Sequence, residues 1–423
     1  MRAITVPFGP QRLLRPIALT TAAMLALGGC AIFGTDAEPA PKPTVSTARF
    51  TMTPQDGSAA VPPDSVVTVG SGGGVLSAVS LTAADGTAVP GSISPGGASW
   101  HSEKPLQYGT TYTVQATAVD GHGLTSNRSS TFTTATPTAI VSAKEVLPEK
   151  GSTVGIGMPI SIEFDRKIED PAVRAAVEKR LVVTASTPVE GAWGWVDEET
   201  VRFRPKTYWP AGTKVTVSSD LHGVPMGDGV YGGAGTVTDF TIGDAVVATV
   251  DSGAHQMTVT RNGEVLRTVP VTTGKPGFTT RAGTKVVLGK EEHVLMDGTT
   301  VGIAAGSSEG YRLDVYWAAR VTWSGEYLHA APWSVGSQGS ANVSHGCVGM
   351  STENARWFFG EVSVGDVVNV VNTGSSKSME LSGNGYGEWN MSFDQWLGQS
   401  AAGSTTAEAA TAESGTAEAA TAA

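Results

Sequence analysis

The sequence contains only two cysteines, Cys30 and Cys347, too few for a disulfide framework of the kind that stabilises small exported domains. Basic residues are also scarce: 28 Lys and Arg stand against 39 Asp and Glu, and the formal net charge is −11. No basic run is present that would neutralise a phosphate backbone. We therefore expect no nucleic-acid partner.

The apolar segment near the N-terminus, residues 17–27, is too short to span a bilayer as a helix. Three arginines precede it, as they precede the apolar core of a secretory signal. Two glycines then stand directly before Cys30, a pattern that resembles a bacterial lipobox. We predict a signal peptide at residues 1–29 and an exported protein, anchored on the cell membrane through lipid on Cys30 and facing the cell wall. The alternative is a chance cysteine after an ordinary signal peptide.

The composition favours a mostly β protein. Glycine (53 residues) and proline (23) are frequent, Thr, Ser and Val are abundant, and Leu and Lys are few. At 423 residues the chain is long enough for several domains, each with its own core.

Residues 30–47 lack large apolar side chains, so we predict a disordered tether there. Two similar segments follow: residues 105–114 resemble 208–217, and 130–133 resemble 238–241. Their short alternating runs between turn residues are typical of β-sandwiches. We predict two tandem immunoglobulin-like domains, at 48–136 and 137–243, with a helix at 171–179. Neither contains a convergent set of titratable groups, so both are expected to be dispensable for chemistry.

A third, β-rich domain is predicted at residues 244–371. It opens with two alternating runs joined by Asn262-Gly263, the strongest short-range hairpin signal. Ser351 is a candidate cap for a helix from 352 to about 359, with Gly360 as its stop. A C-terminal subdomain, residues 372–400, contains two tryptophans and should pack back on a domain. The tail, residues 401–423, repeats small and acidic residues and is predicted to be disordered.

The chemistry is predicted to lie at Cys347, because a lone thiol in an exported protein is a liability unless it is buried or reactive. His329 is followed, after fourteen residues, by Ser344-His345-Gly346-Cys347. A thiol attacks as the thiolate, which a neighbouring imidazole supports near neutral pH. Gly346 lets the backbone turn so that N–H groups near Cys347 point at a developing oxyanion. Spacing alone leaves open that Cys347 is a buried structural cysteine.

This arrangement resembles the signature of the L,D-transpeptidases with a YkuD-like catalytic domain. Further similarity to actinobacterial members of that family lies in residues 310–315, 331–336 and 387–390. Those members also carry two immunoglobulin-like domains before the catalytic one, so the resemblance covers nearly the whole mature chain.

The resemblance implies a role for each matching residue. Cys347 is the nucleophile, His329 the base, and His345 orders the cysteine loop. The hydroxyl of Tyr311 and the N–H groups of Gly346 and Cys347 form the oxyanion site. Substrate contacts fall, besides Tyr311, on Ser324, Gly325, Met296, Trp333, Ser344 and Gly349. For Met296 and Trp333, ordinary apolar packing is the alternative.

The implied reaction cross-links peptidoglycan stem peptides between their diamino acids through a cysteine thioester, with release of D-alanine. No cofactor or metal ion is required, and carbapenems are the implied inhibitors. Two residues depart from the family pattern. Gly349 stands where asparagine is usual, so any substrate contact from that side chain is absent. Ala330 stands where serine is common, which matters little if the residue orients the imidazole through its carbonyl.

Two other functions remain open. A cysteine peptidase of the wall-hydrolase type uses the same residues, but papain-like enzymes place cysteine before histidine, the reverse of the order here. A non-catalytic wall-binding lipoprotein is the other alternative, and the intact His329 and Cys347 pair argues against it.

Overall fold

The computed structural model describes residues 43–374, 376, 378–403 and 405–409. The predicted signal peptide, Cys30 and most of the predicted tether lie outside the described residues, so their predictions stay untested.

The first immunoglobulin-like domain is a sandwich of two sheets, with strand orders β1-β3-β7-β6 and β2-β9-β8-β4-β5. Its own core lies between them and includes Trp100, Leu106, Tyr112 and Phe132. The strands are β1 (Arg49–Thr53), β2 (Ser58–Val61), β3 (Thr68–Gly72), β4 (Gly74–Ala83), β5 (Ala88–Val89), β6 (Gly91–Ile93), β7 (Ser99–Ser102), β8 (Thr111–Asp120) and β9 (Thr125–Thr134).

The second immunoglobulin-like domain is built around buried aromatic residues such as Trp193, Phe203 and Trp209. The predicted helix is α1 (Pro171–Glu178), capped by Asp170, whose side chain accepts the Ala172 N–H. The strands are β10 (Ala139–Val141), β11 (Ala143–Leu147), β12 (Thr153–Val154), β13 (Ile160–Phe164), β14 (Leu181–Ala185), β15 (Val189–Trp195), β16 (Thr200–Pro205), β17 (Lys214–Ser219), β18 (Pro225–Gly227), β19 (Val230–Gly232) and β20 (Thr236–Ile242).

The two similar sequence segments occupy equivalent positions in the two domains. In the first domain β8 pairs with β9 so that Tyr112 faces Phe132. In the second, β17 pairs with β20 so that Val215 faces Phe240. The repeated sequence segments therefore encode one antiparallel pair of strands and the side chains that this pair directs into the core of each domain.

The third domain contains two sheets, β23-β22-β21-β29-β24 and β25-β26-β27-β28, and one helix, α2 (Thr352–Glu361). Valines, Leu328, Met350 and Phe358 fill the core shared by strands of both sheets and this helix. The strands are β21 (Val246–Asp251), β22 (Gln256–Arg261), β23 (Glu264–Pro270), β24 (Gly283–Val286), β25 (Gly289–Asp297), β26 (Arg312–Arg320), β27 (Tyr327–Ala330), β28 (Val348–Met350) and β29 (Val367–Val371).

The local signals in this domain are confirmed, with one error. Asn262 and Gly263 both adopt positive φ (51° and 88°), as the two-residue hairpin between β22 and β23 requires. The Ser351 side chain accepts the Asn354 N–H at the start of α2. The predicted stop at Gly360 is wrong, because the exposed glycine stays helical and the helix ends only where Val362 turns extended and enters the core.

The C-terminal segment crosses from the third domain to the second immunoglobulin-like domain, which confirms that it packs back on a domain. It contains α3 (Phe393–Leu397). Trp396 is fully buried and its indole N–H donates to the Ala192 carbonyl at 2.9 Å. The buried Glu388 pairs with Arg202 at 3.2 Å.

The prediction of a disordered tail from residue 401 is wrong for its first part. The N–H groups of Ala401 and Ala402 donate to the Glu178 carboxylate at 2.8 and 3.0 Å. Strand β30 (Thr405–Ala409) then pairs with both β14 and β15. Backbone pairing needs only main-chain N–H and C=O groups, which small residues supply as well as large ones. Residues 410–423 lie outside the described residues.

Helices are few. In the part of the chain that the structure describes, none is long and apolar enough to cross a membrane.

Candidate active site

Adjacent strands bring the histidine and the cysteine together. Strands β27 and β28 are parallel neighbours, and His329 is the register partner of Gly349. Cys347 directly precedes β28, so the loop that contains Cys347 lies next to His329.

A cleft of about 550 Å³ lies over this pair. It is lined by every residue predicted for the site in the third domain: Met296, Tyr311, Ser324, Gly325, His329, Trp333, Ser344, His345, Gly346, Cys347 and Gly349. Trp333 is 55% exposed, so it forms a wall of the cleft and is not core packing. The roles of these residues remain predictions, but their placement in one cleft is a property of the structure.

His329 is held by the carbonyl of its neighbour. Its ring Nδ1 lies 2.8 Å from the Ala330 carbonyl oxygen, which can only accept, so Nδ1 carries the proton. The lone pair is therefore on Nε2, as a general base requires. Burial lowers the pKa of His329, partly offset by this hydrogen bond, so the imidazole is neutral at pH 7.

The surroundings of Cys347 favour the protonated thiol. Burial raises the pKa of its thiol to about 11, although the Tyr327 N–H favours the thiolate. The thiol contacts the Gly325 carbonyl oxygen at 3.6 Å. A neutral thiol beside a neutral imidazole means that the proton moves during attack, not before substrate binds.

The cysteine loop turns at Gly346, whose φ of 131° favours glycine. The Ser344 hydroxyl donates to the Cys347 carbonyl at 2.6 Å and accepts the Gly346 N–H at 3.1 Å. This corrects the prediction that the Gly346 N–H serves the oxyanion, because Ser344 already occupies it. The Cys347 N–H and the Tyr311 hydroxyl remain as the predicted oxyanion donors.

Thr280, which sequence reasoning missed, orients that remaining N–H. Its buried hydroxyl donates to the Gly346 carbonyl at 2.8 Å and accepts the Gly274 N–H at 2.9 Å. The C=O and N–H of one trans peptide point in opposite directions. The hydrogen bond from Thr280 to the Gly346 carbonyl therefore directs the Cys347 N–H away from Thr280.

A lid, residues 298–311, joins β25 to β26 and carries Tyr311 at its end. Burial raises the pKa of Tyr311, which keeps its hydroxyl a donor. Glu309 in the lid accepts from His345 Nε2 at 2.7 Å and from Lys275 Nζ at 2.5 Å. Through these contacts His345 ties the cysteine loop to the lid.

The similarity of this chain to known proteins agrees with this geometry. Residues 245–370 match the model of the L,D-transpeptidase catalytic domain, and residues 58–225 match a bacterial Ig domain. The chain is 40% identical over 353 residues to L,D-transpeptidase 2 of Mycobacterium tuberculosis strain CDC 1551, covering 84% of this chain and 85% of that protein. This chain is a member of the L,D-transpeptidase family.

Other members are also similar. L,D-transpeptidase 5 of M. tuberculosis strain H37Rv is 35% identical over 84% of this chain and 77% of its own. The solved structure of LD transpeptidase LdtMt1 in complex with imipenem is 42% identical and covers 55% of this chain and all of that one, with a TM-score of 0.48.

The two departures from the L,D-transpeptidase pattern have structural explanations. Ala330 orients His329 through its backbone, so a serine side chain is not needed there. At Gly349 an added Cβ would lie 2.9 Å from the Ala331 Cβ and 3.0 Å from the Thr272 Cγ2. The space that an asparagine side chain needs is therefore closed in this L,D-transpeptidase.

Charged residues near the cysteine were also missed. Lys285 and Glu326 form a buried pair at 2.6 Å, and Arg281 joins Glu326 at 3.4 Å. In the sequence, the one signal for this pair was Lys285, a charged residue directly before two valines. Among the described residues, no group of three or more His, Cys, Asp or Glu is placed to hold a metal ion.

Proposed function

We propose that this L,D-transpeptidase joins two stem peptides through their diamino acids in two acyl-transfer steps on Cys347. In the first, Cys347 attacks the carbonyl between the diamino acid of a donor tetrapeptide and its terminal D-alanine. His329 Nε2 takes the thiol proton and delivers it to the departing amine, so D-alanine leaves and a thioester remains.

In the second step the side-chain amine of an acceptor's diamino acid attacks the thioester. The amine loses a proton through His329 to the leaving thiol, and the new amide forms without ATP. The observation that carries this proposal is the placement of Cys347 beside a base whose free nitrogen is fixed by Ala330, within a cleft that also holds Tyr311.

Intact-mass analysis with a stem tetrapeptide tests the proposal. We expect an adduct on Cys347 that lacks D-alanine and converts to cross-linked peptide when an acceptor stem is added. An adduct that always resolves to free tripeptide, even with acceptor present, would instead identify a hydrolase. The absence of any adduct, with binding intact, would identify a wall-binding protein.

Carbapenems are proposed to intercept the first step. Their strained ring presents a carbonyl to the thiol, and opening the ring gives an acyl-enzyme with no small leaving group to depart. A mass increase equal to the whole drug, absent in Cys347→Ala, is the expected result.

Export and lipid anchoring through Cys30 are also proposed. Support comes from the short apolar segment and the glycines before Cys30. Labelled fatty acid should enter the wild-type protein, and Cys30→Ala should release it from the membrane fraction. Retention of Cys30→Ala in that fraction, without label in the wild type, would contradict the anchor.

A further inference from the structure

A fully buried lysine lies behind the catalytic cleft. The Lys285 side chain, on β24, is 1% exposed, and that of its partner Glu326 is 10% exposed. Lysine and glutamate are almost never buried this deeply unless they are paired. Such pairs often add no stability over apolar residues of the same size, so a role other than stability has to be considered.

Glu326 connects the pieces of backbone that frame Cys347. Its carboxylate accepts from the Arg281 N–H at 3.1 Å and so holds the loop that carries Thr280. Its own N–H donates to the Thr322 hydroxyl at 2.8 Å. The carbonyl of the same peptide belongs to Gly325 and points the opposite way, where the Cys347 thiol contacts it.

The carboxylate also lies against the cysteine loop, since a Cβ added at Gly346, the residue before Cys347, would be 3.9 Å from Glu326 Oε1. An unpaired carboxylate there would oppose formation of the thiolate. Lys285 contributes the opposite charge from the other side, at 2.6 Å from Glu326 Oε2.

We propose that Lys285 and Glu326 are positioning residues for acyl transfer. The carboxylate anchors the backbones that frame Cys347, and the ammonium cancels the carboxylate's charge next to the nucleophile. This inference rests on the proposed role of Cys347. Consistent with it, Glu326 raises and Lys285 lowers the pKa of the thiol, although burial is the largest cause of its value.

The two single variants have opposite expected effects. In Glu326→Gln the negative charge near the thiol is removed, so the thiol pKa falls and alkylation at a given pH is faster. In Lys285→Gln the carboxylate keeps only Arg281 as a cationic partner, so the thiol pKa rises and alkylation is slower. A shift of one pKa unit changes the thiolate fraction about tenfold, and we expect changes of about this size. The double variant should return close to wild type.

The test is the rate of iodoacetamide alkylation of Cys347 in the full chain between pH 7 and 10, read by the mass of the proteolytic peptide that contains Cys347, because the chain also contains Cys30. It needs no peptide substrate, so its outcome is separate from that of the transpeptidation assay. Glu292→Gln, an exposed residue on β25, is the control for loss of one carboxylate. The other titratable groups around the thiol are unchanged in every variant: Lys275, Arg281, Glu309, Tyr311, His329 and His345.

A purely structural pair would lower the unfolding temperature of both single variants without opposite changes in alkylation. Alkylation profiles equal to that of the wild type in both single variants, or shifts of the thiol pKa in the same direction in both, would overturn the proposal. If neither single variant folds, the double variant, whose two amides can bond each other, must fold and keep the wild-type profile. A shifted profile in that variant would also overturn it.

Discussion

The Nδ1 atom of His329 lies 2.8 Å from the carbonyl oxygen of Ala330, the residue that follows it. This contact assigns the proton to Nδ1 and leaves Nε2 as the base. Together with a protonated Cys347, this proton position means that the free enzyme holds a neutral imidazole and a neutral thiol, not an ion pair.

A neutral pair predicts the pH dependence of acylation by a carbapenem. His329 is competent when neutral, and burial holds its pKa below 6.5, so the rate should fall only as the pH drops through that lowered value. The thiol pKa of about 11 places the upper limit well above neutrality, so the rate should be flat from about pH 7 to 9.

His329→Ala should slow acylation at pH 7 by about 10²- to 10⁴-fold, the usual contribution of a positioned base. Its residual rate should rise about tenfold per pH unit toward pH 11, because attack then depends on the thiolate alone. If this variant instead matches the wild type from pH 6 to 8, His329 is not the base and His345 becomes the candidate.

Tyr311→Phe tests the oxyanion site. Because Ser344 occupies the Gly346 N–H, the Tyr311 hydroxyl is one of only two proposed donors. Its loss should slow carbapenem acylation by about 10²- to 10³-fold, as loss of one oxyanion donor does elsewhere. Iodoacetamide alkylation, which forms no oxyanion, should be nearly unchanged, and an equal loss in both reactions would argue against the assignment.

Thr280→Val tests the orientation of the Cys347 N–H. The variant keeps the side-chain shape but loses the hydroxyl that holds the Gly346 carbonyl. A Cys347 N–H that points in the wrong direction should slow acylation less than the complete loss of an oxyanion donor. We therefore expect about tenfold slower acylation by a carbapenem. Thr280→Ser retains the hydroxyl and should stay close to wild type. Similar rates for the valine and serine variants would show that the contact does not matter.

Truncation tests which immunoglobulin-like domain the catalytic unit needs. A chain starting at residue 137 retains the partners of the C-terminal segment and should acylate like the full chain. A chain starting at residue 244 lacks Arg202, the partner of Glu388, and lacks the second domain, whose Ala192 carbonyl accepts the Trp396 indole N–H. Exposure of this large apolar side chain and loss of the ion pair should destabilise the C-terminal segment.

Thermal unfolding and carbapenem adduct formation should therefore separate the two truncated chains. The structure thus revises the expectation that both immunoglobulin-like domains are dispensable. A stable, reactive chain starting at residue 244 would restore that expectation.

The sequence by itself determined the features that depend on neighbouring residues. Asn262-Gly263 specifies a hairpin because both positions must adopt positive φ, and Ser351 starts a helix because its side chain reaches the first free N–H groups. The duplicated sandwich pair and the signature Ser344-His345-Gly346-Cys347 are readable for the same reason, since each is written in short runs of consecutive residues, and the mostly β class follows from the composition of the whole chain.

Only the tertiary structure decided which distant groups meet. Glu326 finds Lys285 across 41 positions of sequence, and Trp396 finds Ala192 across 204. The tail strand β30 enters a sheet through backbone hydrogen bonds that leave no side-chain signature. Such contacts depend on how whole sheets pack, so no local pattern specifies them.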